Sequence, residues 1–371
     1  MPQFPGFVNG SATARALTWD SERTINWYVE GKDAGTPKSG AYLASTPGLS
    51  PFVGAGAGPV RANFWQDGQG FAVSGAYFLE YFQSEKATAL GVVRADNRPA
   101  TICSNGQAGT QLFIVSAGLG YIYDLDAQSF VQITDTNFPA FCSGGIFFDQ
   151  YFLALDRQTG EVFFSDLDDG LTWSGLDFFA ESQFSDTVRA FAPVHDNIWL
   201  FGSKHTGPWY NSGGANNVFV PVPGSVMEQG IVGEGWSVAT LDNTVFWLAK
   251  NAQGQGIVFK ASGYTPTRIS THPIETYLNQ YDLDDAIGFA YQEEGHLFYV
   301  LYVPTMPTTL VYDVATDLWC ERGHWNTDTM QYEPWRPRCH AYGFGQHLFG
   351  DRASGTIYQS SLNQFIDRLV G

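Results

Sequence analysis

Apolar and polar residues alternate along this chain in short runs, and the runs come in pairs. A run rich in aromatic residues, a Gly or Pro turn and a second aromatic run recur seven times. In order they read GFAVSGAYFLEYF from Gly70, QLFIVSAGLGYIYDL from Gln111, QYFLALDRQTGEVFFS from Gln150, NIWLFGSKHTGPWYN from Asn197, TVFWLAKNAQGQGIVFKA from Thr244, HLFYVLYVPTMPTTLVYDV from His296 and HLFGDRASGTIYQS from His347. Short apolar runs closed by glycine turns predict β-hairpins rather than helices. The starts lie 39 to 52 residues apart. Most units carry a further strand signal, such as TVRAFAPVHD before NIWLF or FVQITD from Phe130. Three or four strands per unit at that spacing is the pattern of propeller blades. The sequence therefore predicts an all-β fold, a β-propeller of seven blades, over residues 62–371.

Composition strengthens this picture. A chain of 371 residues exceeds what one compact core usually serves, but blades escape the limit by burying their faces against neighbours. With 16% aromatic residues, 41 glycines and only 15% charged residues, large rings are available for the layers between blades and glycines for the turns. No stretch has the length and purity of a membrane span. The opening MPQFPGFVNGSATAR lacks the basic start and apolar core of a secretory signal, so synthesis and folding in the cytoplasm are expected. Cys103, Cys142, Cys320 and Cys339 have neither zinc-ligand nor disulfide-scaffold spacing and are expected to be free thiols. No cofactor or metal motif is present.

Residues 1–61 stand outside the repeat as an N-terminal arm. LTWDSERTINWYVEGK predicts one or two strands, and Thr46-Pro47-Gly48 a turn. Gly54, Gly56 and Gly58 invite a phosphate-loop reading, yet no Gly-Lys-Ser/Thr follows and Pro59 interrupts any helix start. Residues 51–61 are expected to be a flexible linker. The polar stretch STHPIETYLNQYDLDD predicts one short helix near Pro273, and the closing SLNQFIDRLVG a short helix or a strand.

Charge narrows the function. The formal charge is −18, with 37 acidic against 19 basic residues, which excludes a protein that grips nucleic acid by neutralising phosphates. Such a surface suits a wall past which DNA slides without sticking. Arg336 and Arg338, in a Pro-broken loop, are expected to be solvated.

The sharpest local motif runs from Asp166 to Trp173, DLDDGLTW. It resembles the Asp-box of sialidase-like propellers at Asp168, Gly170, Thr172 and Trp173, with Asp166 where Ser is usual. The expected roles are structural: Asp168 bonding turn amides, Gly170 at positive φ, Trp173 packing the hairpin. A sialidase-like enzyme or lectin needs an arginine cluster or a pair of catalytic acids. Arg94, Arg157, Arg189, Arg268, Arg322 and Arg352 are scattered, while Asp282, Asp284 and Asp285 read as a solvated turn near the Glu293-Glu294 pair. His296 and His347 share one repeat position, just before Leu-Phe, which argues for a structural role. No nucleophile triad can be assembled.

At the N-terminus, DSERTINWYVE from Asp20 and LASTPGL from Leu43 resemble the opening of the tail accessory, or packaged-DNA stabilisation, proteins of short-tailed phages. GQHLFGDRASGTIYQ near the end resembles that family's late blade, and Val29 departs from it where Pro is common. The resemblance implies a structural, non-enzymatic virion protein. It implies six copies around the tail axis forming a hub or nozzle, which contact the portal-adaptor ring and a tail needle or tailspike fibres and retain double-stranded DNA until ejection. Asn26, Trp27, Tyr28, Glu30, Pro47 and Gly48 are then the assembly or closure candidates. They either complete the last blade or contact the adaptor or a neighbouring subunit. The competing reading is a carbohydrate-active propeller enzyme or lectin, favoured by a shared pocket of arginines and carboxylates at the propeller's centre.

Overall fold

The structure is a computed structural model that describes residues 11–13, 21–31, 41–83, 86–106, 109–183, 185–214, 217–241, 243–251 and 253–370. Each repeat folds as an antiparallel meander. Blade one comprises Val60–Gln66, Gln69–Ser74, Tyr77–Tyr81 and Thr88–Val92. Blades two to five begin at Thr101, Cys142, Val188 and Ala239 and have four strands each. Blade six, from Ile287, has a fifth strand, Gln331–Pro334. The first strands touch in ring order, and that of blade seven, Pro337–Gly343, meets that of blade one. This is a seven-bladed propeller.

The hairpins follow from local chemistry. Asp67-Gly68 and Glu294-Gly295 both have φ positive at both residues, which is the type I′ geometry that matches strand twist. Between blades, large rings interlock: Trp199 and Phe201 of blade four meet Trp247 of blade five, and Phe246 stacks on Tyr299 of blade six at 5.1 Å. Such rings contribute area and preferred geometry together.

The ring is closed by the N-terminal side of the chain. Gly48–Gly54 is the fourth strand of blade seven, pairing Gly48 with Ser361, Ser50 with Gln359 and Gly54 with Thr356. The linker expected at 51–61 is thus corrected. Pro51 to Gly54 lie in this strand and Val60 already opens blade one, leaving only five residues between. The closing strand covers the edge of Thr356–Ser361 and completes blade seven as a four-stranded sheet.

The short helix is present as His272–Leu278, with Pro273 in its first turn and Ile274 and Leu278 buried. The tail forms neither of the expected elements. It runs irregularly over Leu49, whose N–H donates to Asp367 Oδ1 (2.9 Å) and whose C=O accepts from the Arg368 N–H (2.7 Å). Arg336 and Arg338 are not solvated: Arg336 pairs with Asp351 at 2.7 Å, and Arg338 is 6% exposed. All four cysteines are free. Among the described residues no helix is long and apolar enough to cross a membrane.

Candidate functional site

The assembly candidates converge on one seam, where the arm crosses blade six and the chain turns into blade seven. Ile25 forms a parallel bridge with Glu321, and the Asn26 N–H donates to the Glu321 carbonyl at 2.8 Å. Asn26 sits at φ 61, a left-handed conformation that Asn tolerates better than most residues. Its side chain then acts as a peptide group. Nδ2 donates to the Gly323 carbonyl and Oδ1 accepts from the Gly323 N–H, both at 2.9 Å.

Beyond Asn26, Trp27–Gly31 pairs with Ala41–Ser45 in a hairpin, and strand alternation sends successive side chains to opposite faces. Tyr28 faces inward and is buried, its ring edge-on to His296 (5.1 Å) and Phe298 (5.5 Å). Burial raises the Tyr28 phenol to about 12. Trp27 faces outward and is 47% exposed.

Glu30 completes an arrangement that spacing along the chain hides. His296 Nε2 lies 2.8 Å from Glu30 Oε2, and its Nδ1 lies 2.8 Å from Asp313 Oδ2. Burial opposes protonation of this imidazole, but bonds and charge from Asp313 and then Glu30 outweigh it, so its pKa is raised. An imidazolium between two carboxylates is a charged clamp that ties the arm to blade six. Glu30 is 266 residues from His296, so only the fold could bring them together.

Pro47 and Gly48 make the turn from the arm hairpin to the closing strand. A Cβ on Gly48 would stand 2.8 Å from the carbonyl oxygens of Gln364 and Ile366, so the tail's approach requires glycine here. The closing strand is therefore Gly48–Gly54 and not the Asn-Trp-Tyr segment, which docks on blade six instead. Around the seam, Trp27, Trp325, Phe365 and Ile366 line a pocket of about 430 Å³ and are 42 to 74% exposed.

The Asp-box-like turn lies in blade three, and its roles are redistributed by one residue. Asp169, not Asp168, bonds the turn: its carboxylate accepts from the Leu171 N–H (3.0 Å) and the Thr172 hydroxyl (2.7 Å). Asp168 takes the positive φ (56°) expected of Gly170. Gly170 is needed for space, since a Cβ there would stand 2.3 Å from Ile122 Cδ1. Trp173 is buried as expected, with Nε1 donating to the Gly170 carbonyl at 2.8 Å.

The scattered arginines divide. Arg268 pairs with Glu275, and Arg322 is fully buried over the rings of Trp335, Phe298 and Tyr291. Arg94 and Arg157 instead meet Arg98 in a cleft of about 540 Å³ beside Trp236 and Phe141. The cleft adjoins the central channel, a cavity of about 530 Å³ walled chiefly by the first strands of the blades. Its carboxylates are engaged, Asp96 with Arg61 (3.0 Å) and Glu234 with Arg157 (2.9 Å). Asp284 pairs with Lys250 (2.9 Å). Among the described residues no group of three His, Cys, Asp or Glu gathers to hold a metal ion.

Comparison with known proteins follows the same division between fold and family. The extracellular domain of the putative one component system BT4673 from B. thetaiotaomicron superposes with a TM-score of 0.56 at 11% identity, over 84% of this chain and 40% of that one. The chain thus spans less than half the length of that protein. A streptogramin B lyase gives 0.54 at 9% identity over 92% and 99% of the two chains. Virginiamycin B lyase from Staphylococcus aureus gives 0.53 at 10% over 84% and 98%. At these identities the likeness is one of fold alone. No curated protein matches the chain. Residues 3–364 match the phage stabilisation family described as bacteriophage P22 Gp10, beta-propeller, covering nearly all of the arm, the seven blades and the start of the tail, and the chain belongs to that family.

Proposed function

We propose that this chain is a structural protein of a phage tail that helps to retain packaged DNA. In this reading it works as a hub or nozzle subunit in a ring of six copies, joined to the portal-adaptor ring and to a tail needle or tailspike fibres. Family membership supports the phage structural role. The observation that carries the assembly role is the seam, where the exposed Trp27, Trp325, Phe365 and Ile366 gather around one open pocket. Exposed apolar residues gathered in one place mark interaction surfaces more often than scattered ones do. The propeller's own channel has the volume of a small-molecule site. A duplex must therefore pass between copies, where the charge of −18 keeps it off the walls.

A non-enzymatic role is supported by the engagement of the acids at the seam and at the cleft. Glu30 and Asp313 hold His296, and among the described residues no hydroxyl or thiol nucleophile bonds its ring nitrogens. The cleft of arginines and carboxylates beside the channel favours a ligand-binding propeller, but Asp96 and Glu234 are both in ion pairs, an arrangement for holding charge rather than donating a proton.

The test is electron microscopy of the purified chain, alone and mixed with portal-adaptor rings, repeated with Trp27→Asp and Phe365→Asp. Six-membered rings that the substitutions abolish are expected. Monomers under every assembly condition, together with turnover of a glycoside, would overturn the proposal.

A further inference from the structure

The mouth of the central channel gathers positive charge in a chain that has little of it. Arg61 and Arg338 line the channel wall, and Arg94, Arg98 and Arg157 line the adjoining cleft. The two cavities share Pro99 and Trp236. The segment from Arg94 to Arg98 joins them, since Arg338 donates to the Asn97 carbonyl at 3.1 Å and Arg61 to Asp96 Oδ1 at 3.0 Å. Five guanidinium groups thus face two carboxylates, Asp96 and Glu234. The nearby Asp156 carboxylate is occupied by the N–H groups of Gln158 and Thr159 in its own turn.

The two deepest charges are compensated unequally. Arg61 and Arg338 are 1% and 6% exposed. Arg61 is well bonded, to Asp96 at 3.0 Å, the Ser116 hydroxyl at 2.6 Å and the Gly75 carbonyl at 2.8 Å. Arg338 has a backbone carbonyl, and its Nε has no partner among the described residues. Burial disfavours the charged form of both, and the Arg338 guanidinium adds repulsion at Arg61. A buried cation without an anion is costly. Arg94, at the rim, has no side-chain partner among the described residues.

We propose that this mouth is a phosphate-binding site, taking an inorganic phosphate or the phosphate group of an ester. Phosphate fits better than a carboxylate because its tetrahedral oxygens accept from several guanidinium forks at once. Carboxylates, moreover, are already supplied from within by Glu234, held 2.9 Å from Arg157 and 3.7 Å from Arg98. Glu234 acts as an internal competitor for the rim arginines. Trp236 and Phe141, the latter 57% exposed, give the cleft apolar walls on which the remainder of an ester rests. The site stands apart from the seam and does not depend on the assembly role.

The experiment is isothermal titration of the full chain with inorganic phosphate against chloride at matched ionic strength. Saturable one-site binding is expected. Arg94→Glu with Arg157→Glu, both exposed, should weaken it by about tenfold or more. Glu234→Gln, which frees Arg98 and Arg157, should tighten it several-fold, an outcome that a purely structural ion pair does not produce. Arg338→Met should abolish it; if that variant fails to fold, the rim variants still decide. Titration with a 5′-phosphorylated dinucleotide, its unphosphorylated form and a short duplex distinguishes a terminal phosphate from a backbone phosphate. Absence of phosphate-specific heat, or binding unchanged in both rim variants, overturns the proposal.

Discussion

Blades six and seven place a histidine at the same step of the repeat, just before Leu-Phe, and treat it in opposite ways. His296 lies between Asp313 of its own blade and Glu30 of the arm, which together raise its pKa. His347 lies 3.0 Å from a second imidazole, His340, among Tyr291, Tyr342 and Phe349. Burial and then the nearby Arg322 lower its pKa, and burial with the charge of His347 lowers that of His340 to about 3. The repeat sets the position, while the pKa depends on the groups packed around it, for His296 first Asp313 within blade six and then Glu30 of the arm. Over blade six an acidic arm crosses, and blade seven is closed by Gly48–Gly54, whose strand brings no carboxylate.

The hardest blow to this contrast is removal of the arm's buried ring. Tyr28→Ala should cost about 3–5 kcal/mol of arm docking, as for other buried aromatic truncations. Hydrogen exchange over residues 21–31 and 41–46 should rise while the blade strands stay protected; equal protection in the variant would mean that the arm is held by something else. Asn26→Ala removes both bonds to Gly323 and places Ala in a left-handed conformation. About 1–3 kcal/mol is expected, read by chemical denaturation with the arm's exchange as reporter.

A smaller effect carries the same lesson into blade three. Asp169→Ala should cost about 0.5–2 kcal/mol by analogy with side-chain caps. Asp168→Gly should be close to neutral, because glycine relieves the positive φ without removing a turn bond from Asp169. Denaturation midpoints that ranked the two the other way would restore Asp168 as the bonding residue.

The smallest expected change is in the pH dependence, which compares the two histidines directly. For His296 the folded pKa is raised above the ordinary 6.5. Its contribution is therefore complete below 6.5 and is lost as pH rises through the folded value. For His340 and His347 the folded values are lowered. Their contribution is complete above 6.5 and is lost as pH falls. NMR titration of the imidazole signals should show the two sites moving apart, and Glu30→Gln should bring His296 down towards the ordinary range. Identical titration of all three would dissolve the contrast.

Much of this was legible in advance. The seven hairpins, the short helix at Pro273 and the buried Trp173 all rest on residues close in sequence, where turn chemistry and alternation act directly. The Asp-box roles were legible only to within one residue, because two adjacent aspartates are equally able to bond the turn and only the folded hairpin shows that Asp169 does so. The linker at 51–61 misled because its glycines and prolines speak for flexibility, while the unpaired edge of Thr356–Ser361, some three hundred residues on, calls for a strand. Arg338 looked solvated because a loop sequence says nothing of the channel wall behind it.

The blades, their number and the family likeness at the two ends of the chain can be read from local residue patterns. These depend on patterns that repeat within about a dozen residues, or on short motifs standing in order. Tertiary structure alone decided how the ring closes, which face of the Asn-Trp-Tyr segment is buried, how each histidine is charged and where the scattered arginines meet. Each of those outcomes pairs groups far apart in the chain, such as Glu30 with His296 or Arg338 with Asn97. Electrostatics and burial act through space, and only the closed ring sets those distances.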